Sequence, residues 1–307
     1  MQEIIIGNLY MGIPIIGYRT MKNIFFLSIC FFTAPLFFFF TPLERAPLPG
    51  TRLPLPDTSQ ITPVRWLIEE GFEGPVPFSA AHKTEFGPSH AFSIVDSPAY
   101  QGTKAARFEL RDTDPIVSNG TRSEVTVVKD AVEKEMWYSF AVYFPADGYL
   151  KDSQPEIISQ WWQSADKHLG EANTSPATAL WIRNDRFMLY TGYNAEKISQ
   201  GVNQQSRRKI DLGPVTRDSW HEFVFHFIHS YGTDGLLEIW HNGDKVLTHP
   251  GGNMYNNVAM PKWKLGIYKW KWNGSDTTDT RERILYFDNI RVGNKFVTLS
   301  EMTSRAE

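Results

Sequence analysis

The chain of 307 residues carries a single cysteine, Cys30. It sits in an apolar N-terminal segment, so everything after it is free of thiols. That excludes cysteine nucleophiles, thiolate metal sites and disulfides from the body of the protein. Charge of one sign is also lacking. Lysine and arginine number 31 against 34 aspartates and glutamates, a net charge of −3, and no basic run is present. Nucleic acid is therefore excluded as a partner, and binding of an anion must rest on local charge. No long segment shows a 3.6-residue hydrophobic period, which leaves few places for amphipathic helices. Nothing in the sequence implies an obligate protein partner.

What is abundant is aromatic side chain, at 14% of residues. That share suits β-sheets and sugar-stacking surfaces, and large cores as well. The N-terminus reads as an address. Met21-Lys-Asn precedes IFFLSICFFTAPLFFFF, an apolar run without charge until Glu44. This is a signal-peptide pattern. The run from Ile24 to Phe40 is also nearly long enough for an uncleaved membrane anchor. Residues 1–41 are thus expected to direct the protein to the periplasm, the cell surface or the exterior, and the proline-rich residues 42–64 to form an extended linker. Residues 65–300 are expected to form one domain and 301–307 a tail.

Period-two alternation dominates from about residue 65. Ala106–Arg111, Trp137–Phe144 (WYSFAVYF), Glu222–Ile228 (EFVFHFI), Leu236–Trp240 and Leu285–Val292 all predict strands. His241-Asn242-Gly243-Asp244 predicts a tight hairpin before Lys245–Leu247, because Asn-Gly accepts the positive φ angles of a type I′ turn. Many strands, closely spaced turns and no interleaved helices predict an all-β fold of two antiparallel sheets, a concanavalin A-like jelly roll with one concave face.

Three stretches carry chemistry. The segment KWKLGIYKWKW at 262–272, read as a strand, places Lys262, Lys264, Gly266, Tyr268 and Trp270 on one face and Trp263, Leu265 and Ile267 on the other. The second set suits a core. The first makes a cationic, aromatic surface with a glycine where a ligand has room to approach, or else a lysine-guarded edge strand. Gly120-Thr-Arg122-Ser-Glu124 puts a guanidinium beside a carboxylate that orients it, a fork suited to a carboxylate ligand or a plain surface ion pair. Ser159-Gln160-Trp161-Trp162-Gln163 puts Gln160 and Trp162 on one face, where Gln163 adds a further amide nearby. Gathered on one sheet, these side chains would suit an acidic sugar chain.

TRSE, QWWQ, SWHEFVFHF, EIWHNGD and KWKLGIYKW occur in an order that resembles the jelly-roll polysaccharide lyases, in particular the heparin lyase I-like group related to glucuronan lyases. The resemblance spans roughly 65–300. It implies β-elimination at a uronic acid, with no cofactor required for catalysis. Arg122 and Gln160 match the pair that neutralises the C5 carboxylate, Lys264 the motif lysine and Tyr268 the tyrosine that acts as acid and base. Glu124, Trp162, Gln163, Trp270 and His82 are expected to line the substrate. One departure stands out: relatives carry histidine two places after the glutamine, where this chain has Trp162. Either Tyr268 performs both proton transfers, or His82, His90 or His168 supplies the base, or the protein binds without cleaving. The first option calls for a lowered tyrosine pKa, with Arg122, Lys264 or Lys269 as the source.

The competing readings are a lectin-like binding domain and a glycoside hydrolase of similar fold. The Glu-x-Asp-x-x-Glu strand motif of the latter is missing from this sequence, which argues against it. Asp276, Asp279 and Glu282 offer oxygens for a structural calcium, with an ordinary solvated loop as the competing reading. Apart from that, no metal site is expected. The partner implied throughout is an anionic polysaccharide. Three N-x-S/T sequons stand at Asn119, Asn173 and Asn273.

Overall fold

Alternating apolar and polar residues can bury one face of a strand only by pairing it into a sheet that packs on another sheet. The computed structural model describes residues 65, 67–200, 205–274 and 277–303. Cys30, the apolar N-terminal segment, the proline-rich stretch and Asp276 lie outside the described residues. Among the described residues no helix is long and apolar enough to cross a membrane.

In chain order the strands are β1 (Leu67–Glu70), β2 (Lys83–Glu85), β3 (Phe92–Val95), β4 (Ala105–Arg111), β5 (Arg122–Val128), β6 (Glu135–Tyr143), β7 (Glu156–Trp162), β8 (Thr178–Arg183), β9 (Arg186–Tyr193), β10 (Gln205–Pro214), β11 (Trp220–Ile228), β12 (Leu236–His241), β13 (Asp244–Pro250), β14 (Lys262–Tyr268) and β15 (Glu282–Asn294). All pair antiparallel. One sheet has eight strands in the order β13-β12-β11-β6-β15-β4-β3, with β1 paired to β15. The other has seven, in the order β10-β9-β8-β7-β14-β5-β2. The two-sheet, all-β sandwich predicted from alternation is what the chain forms.

The sheets meet through large aromatics. Phe140, Phe225 and Phe287 of the first face Trp161, Trp263 and Leu265 of the second in one buried cluster. Trp161 lies 4.8 Å from Phe225, and Trp263 lies 5.1 Å from Tyr138, between ring centroids. Asn242 and Gly243 turn the β12–β13 hairpin at φ 52° and 88°, the positive values that the Asn-Gly pair predicts. The chain near the expected start of the C-terminal tail is helical. Residues Leu299–Met302 form a short helix, α1, with a capping box at Thr298 and Glu301, and Met302 is buried.

β14 occupies the position that matters most for function. It lies between β5 and β7, so the three chemistry-bearing stretches become adjacent strands of one sheet. Tyr268 pairs with Arg122 and Gly266 with Glu124 on one side; Lys264 pairs with Gln160 and Lys262 with Trp162 on the other. Trp263, Leu265 and Ile267 are fully buried in the core, as their alternation predicts.

Candidate active site

The outer face of the seven-stranded sheet carries a compact ionic cluster centred on Glu124. Its carboxylate accepts from Arg122 Nη1 at 2.6 Å, from Lys264 Nζ at 2.7 Å and from Gln160 Nε2. Lys264 also pairs with Glu85 of β2, which Lys83 reaches at 3.4 Å. All the members except Lys83 are buried, and a buried carboxylate persists only when such donors surround it. Burial alone pushes the Glu85 carboxyl up. The charge and hydrogen bond of Lys264, the Ser118 hydroxyl and the charge of Arg122 outweigh that and hold it at about 2.

Tyr268 lies over this cluster. The Arg122 guanidinium stacks on its ring, 4.2 Å from the centroid. Both press on Gly120, where a Cβ would stand 2.6 Å from Tyr268 Cε2 and 2.7 Å from Arg122 Nη2. Asn273 completes the surroundings: its Oδ1 accepts from the Thr121 backbone N–H, and its side chain hydrogen-bonds Tyr268. The tyrosine pKa is raised, not lowered as the sequence led us to expect. Burial is the largest cause; Arg122 and the Asn273 hydrogen bond act against it, and Glu124 acts with it. Lys269 takes no part in this balance. It is buried on the other side, 2.7 Å from Glu156 and 3.0 Å from Asp152.

Several of the expected residues are held by partners within the protein. Lys264 and Glu124 are buried and paired with each other. Gln163 is fully buried and holds backbone: its Nε2 donates to Tyr255 O at 3.0 Å and Ala259 O at 2.9 Å, and its Oε1 accepts from Tyr255 N at 2.6 Å. The close approach at Gly266 is made by β5, not by a ligand. His82 is exposed at the start of β2, where its backbone N–H donates to Thr126 O at 2.9 Å. His90 pairs with Asp114 at 3.0 Å, and His168 is exposed on a separate turn. No histidine bonds to the Glu124 cluster among the described residues.

Trp162 remains on the outer face, half-buried, with Nε1 donating to Thr174 O at 2.8 Å and Lys262 Nζ 4.8 Å above its ring. Trp270 leaves the strand for a short turn but stays close, 5.9 Å from Tyr268 between ring centroids. Asp279 accepts from Ser153 N at 2.7 Å, while Glu282 pairs with Arg111 at 3.2 Å. Arg283 is buried against Glu156. Among the described residues no group of three or more metal-ligating side chains is placed to hold a metal ion. Sequence reasoning missed Glu85, whose only signal was its place on a short strand, and Asn273, which was noted only as a sequon.

The chain matches the model of the family described as "Polysaccharide lyase" over residues 77–291, and it belongs to that family. No curated protein matches it. Among solved structures, it is similar to an endo-β-1,4-glucuronan lyase from the fungus Trichoderma reesei, with a TM-score of 0.60 and 20% identity over 75% of this chain and 95% of that one. It also aligns with an alginate lyase from Aplysia kurodai, at a TM-score of 0.48 and 15% identity over 74% of this chain and 97% of the other. The protein is thus a polysaccharide lyase with the two-sheet fold of such enzymes.

Proposed function

We propose that the protein cleaves a uronic-acid polysaccharide by β-elimination, with Arg122 and Gln160 on the sugar carboxylate and Tyr268 as the proton-transfer group. The observation that carries this reading is the convergence of a buried guanidinium, an amide and a phenol on adjacent strands of one sheet face. A binding module has no use for a phenol stacked on a carboxylate clamp. Glu124 holds Arg122 and Gln160 from below, and Arg122 Nε has no hydrogen-bond partner among the described residues. Fixed donors of this kind stabilise the enolate that forms as the C5 proton leaves.

In the reaction the C5–H bond breaks and its electron pair forms the C4–C5 double bond. The C4–O4 bond breaks in turn, and O4 takes up a proton. Tyr268 removes the first proton as phenolate and returns one to O4 as phenol, a syn course that needs no histidine. Its raised pKa makes phenolate the minor form at neutral pH. Since the base form grows as pH rises, kcat/KM is expected to climb from neutral into the alkaline range. An acidic optimum would exclude Tyr268 as the base.

Glucuronan is the first substrate to try, because the structural neighbour with the same two-sheet fold acts on it. Purified protein should release oligosaccharides with the ultraviolet absorbance of an unsaturated uronate. Tyr268→Phe should abolish that signal and leave polymer binding within about twofold, whereas Gln160→Ala should slow turnover on the order of 10²–10³-fold. Binding of polyuronates without product by the wild type would establish the lectin-like reading instead.

A further inference from the structure

Beyond the reacting cluster, the same sheet face carries a continuous run of rings that ends in two exposed cations. Tyr268 stands 5.9 Å from Trp270, Trp270 stands 4.7 Å from Trp181, and Trp181 stacks on Tyr190 at 3.8 Å and 24° between planes. Arg207 and Lys209 of the edge strand β10 reach back over the Tyr190 ring, at 5.6 Å and 5.7 Å from its centroid. Both are exposed; neither comes within salt-bridge distance of a carboxylate among the described residues, and the charge of Lys209 is felt by Asp211. The other charges of this edge are accounted for: Arg186 pairs with Asp211 at 2.5 Å, and Arg208 lines a different cavity with His249.

Register ties this patch to the cluster. Lys264 pairs with Gln160, Gln160 with Ala179, Ala179 with Tyr190 and Tyr190 with Lys209. One row of cross-strand neighbours therefore runs from the Glu124 cluster to the edge. Tyr190 lies three strand intervals from Lys264, about 14 Å away. That is beyond the reach of one monosaccharide but within reach of a chain lying across the strands. The short side chain of Ala179 keeps the row low between Gln160 and Tyr190.

We propose that Tyr190, Arg207 and Lys209 form a distal subsite for an acidic sugar residue of the chain whose scissile bond lies at Tyr268. The sugar ring stacks on the Tyr190 phenol and its carboxylate meets the two cations. Rings that present an apolar face beside positive charge suit a sugar acid better than a neutral sugar. The subsite rests on the reading of Tyr268, Arg122 and Gln160 as the reacting centre. Arg207 and Lys209 would also discourage edge-to-edge pairing of β10, a role that predicts no effect on a ligand.

The experiment compares Tyr190→Ala and the double variant Arg207→Gln/Lys209→Gln with wild type, each first shown to unfold at an unchanged temperature. Steady-state kinetics are measured on glucuronan and on a uronate disaccharide too short to span the two sites. Binding of glucuronan and of its carboxyl-reduced, neutral form is followed by tryptophan fluorescence. Each variant should raise KM for the polymer about tenfold, the equivalent of about 1.4 kcal/mol, with kcat within about twofold and the short substrate unaffected. The double variant should also reduce the preference for acidic over neutral polymer, leaving the part that Arg122 and Gln160 supply. Unchanged KM and binding in both variants, or equal losses on the short substrate, would overturn the subsite. If wild type forms no unsaturated product, the Tyr268 reading fails and binding alone decides. Weaker binding of glucuronan by the variants then supports the subsite, and equal binding, or none by wild type, refutes it.

Discussion

At Gly266 the backbone stands at φ +134°, and an added Cβ would lie 2.2 Å from Ser123 O and 2.7 Å from Glu124 Cα. Neither obstacle can move without displacing β5. Gly266→Ala should therefore destabilise the protein by about 3 kcal/mol or more, seen as a lowered unfolding temperature. Gly120 answers to a different demand. The atoms that an added Cβ would meet there belong to the Tyr268 and Arg122 side chains, which can swing aside. Gly120→Ala should leave stability within about 1 kcal/mol yet lower turnover tenfold or more, because the phenol and guanidinium lose their stacked geometry. A drop in unfolding temperature as large as that of Gly266→Ala would show that the ring is held more rigidly than this.

At the scale of the element, β14 is anchored just beyond Tyr268, the proposed proton-transfer residue. Lys269 follows Tyr268 directly and is buried between Asp152 and Glu156, and Arg283 and Tyr149 also reach Glu156. Removing one partner of such a group strands the remaining charges in a low dielectric. Lys269→Met should cost about 3–5 kcal/mol in denaturant unfolding, with Asp152 left the least compensated. This network was invisible in the sequence, because Asp152 and Glu156 lie more than a hundred residues before Lys269 and Arg283. Strands were legible, since Trp263, Leu265 and Ile267 alternate cleanly with polar neighbours. The convergence of Arg122, Gln160 and Tyr268 was legible only through the resemblance of short motifs. Alternation assigns a face to each strand but does not say that β14 inserts between β5 and β7. Whether Lys264 meets a ligand or Glu124 depends on that insertion, as does the direction of the Tyr268 shift.

For the whole molecule, most groups that titrate below neutrality point one way, with Asp288, raised by burial, acting against them. His229 is held neutral by burial, its pKa lowered to about 3; burial, then the charge of His221, lowers His241 to about 4. His221 and His249 are also lowered, in both cases chiefly by burial. The unfolded chain takes up protons on these rings below about pH 6.5, the folded one only further down, so stability falls as pH drops through that window. Glu85 extends the loss. Its stability contribution is present above the ordinary value of 4.5 and disappears as pH approaches 2, a difference worth about 3 kcal/mol. Unfolding temperature should therefore decline from near-neutral pH downward, and Glu85→Gln should flatten the curve between 4.5 and 2 relative to wild type. An unfolding temperature that rises on acidification would contradict these assignments.

The central place of β14 has a consequence for how the protein is made. β5 and β7 are synthesised a hundred residues or more before the strand that joins them, and neither pairs with the other in the finished sheet. Until that late segment threads into the gap, both wait with one long flank unbonded, available to strands of neighbouring nascent chains. Closing so distant a contact is slow, and the wait exposes the chain to clumping. Yield of active enzyme should thus hinge on slow synthesis, low temperature or a chaperone that shields the waiting flanks, more than on the stability of the finished sandwich.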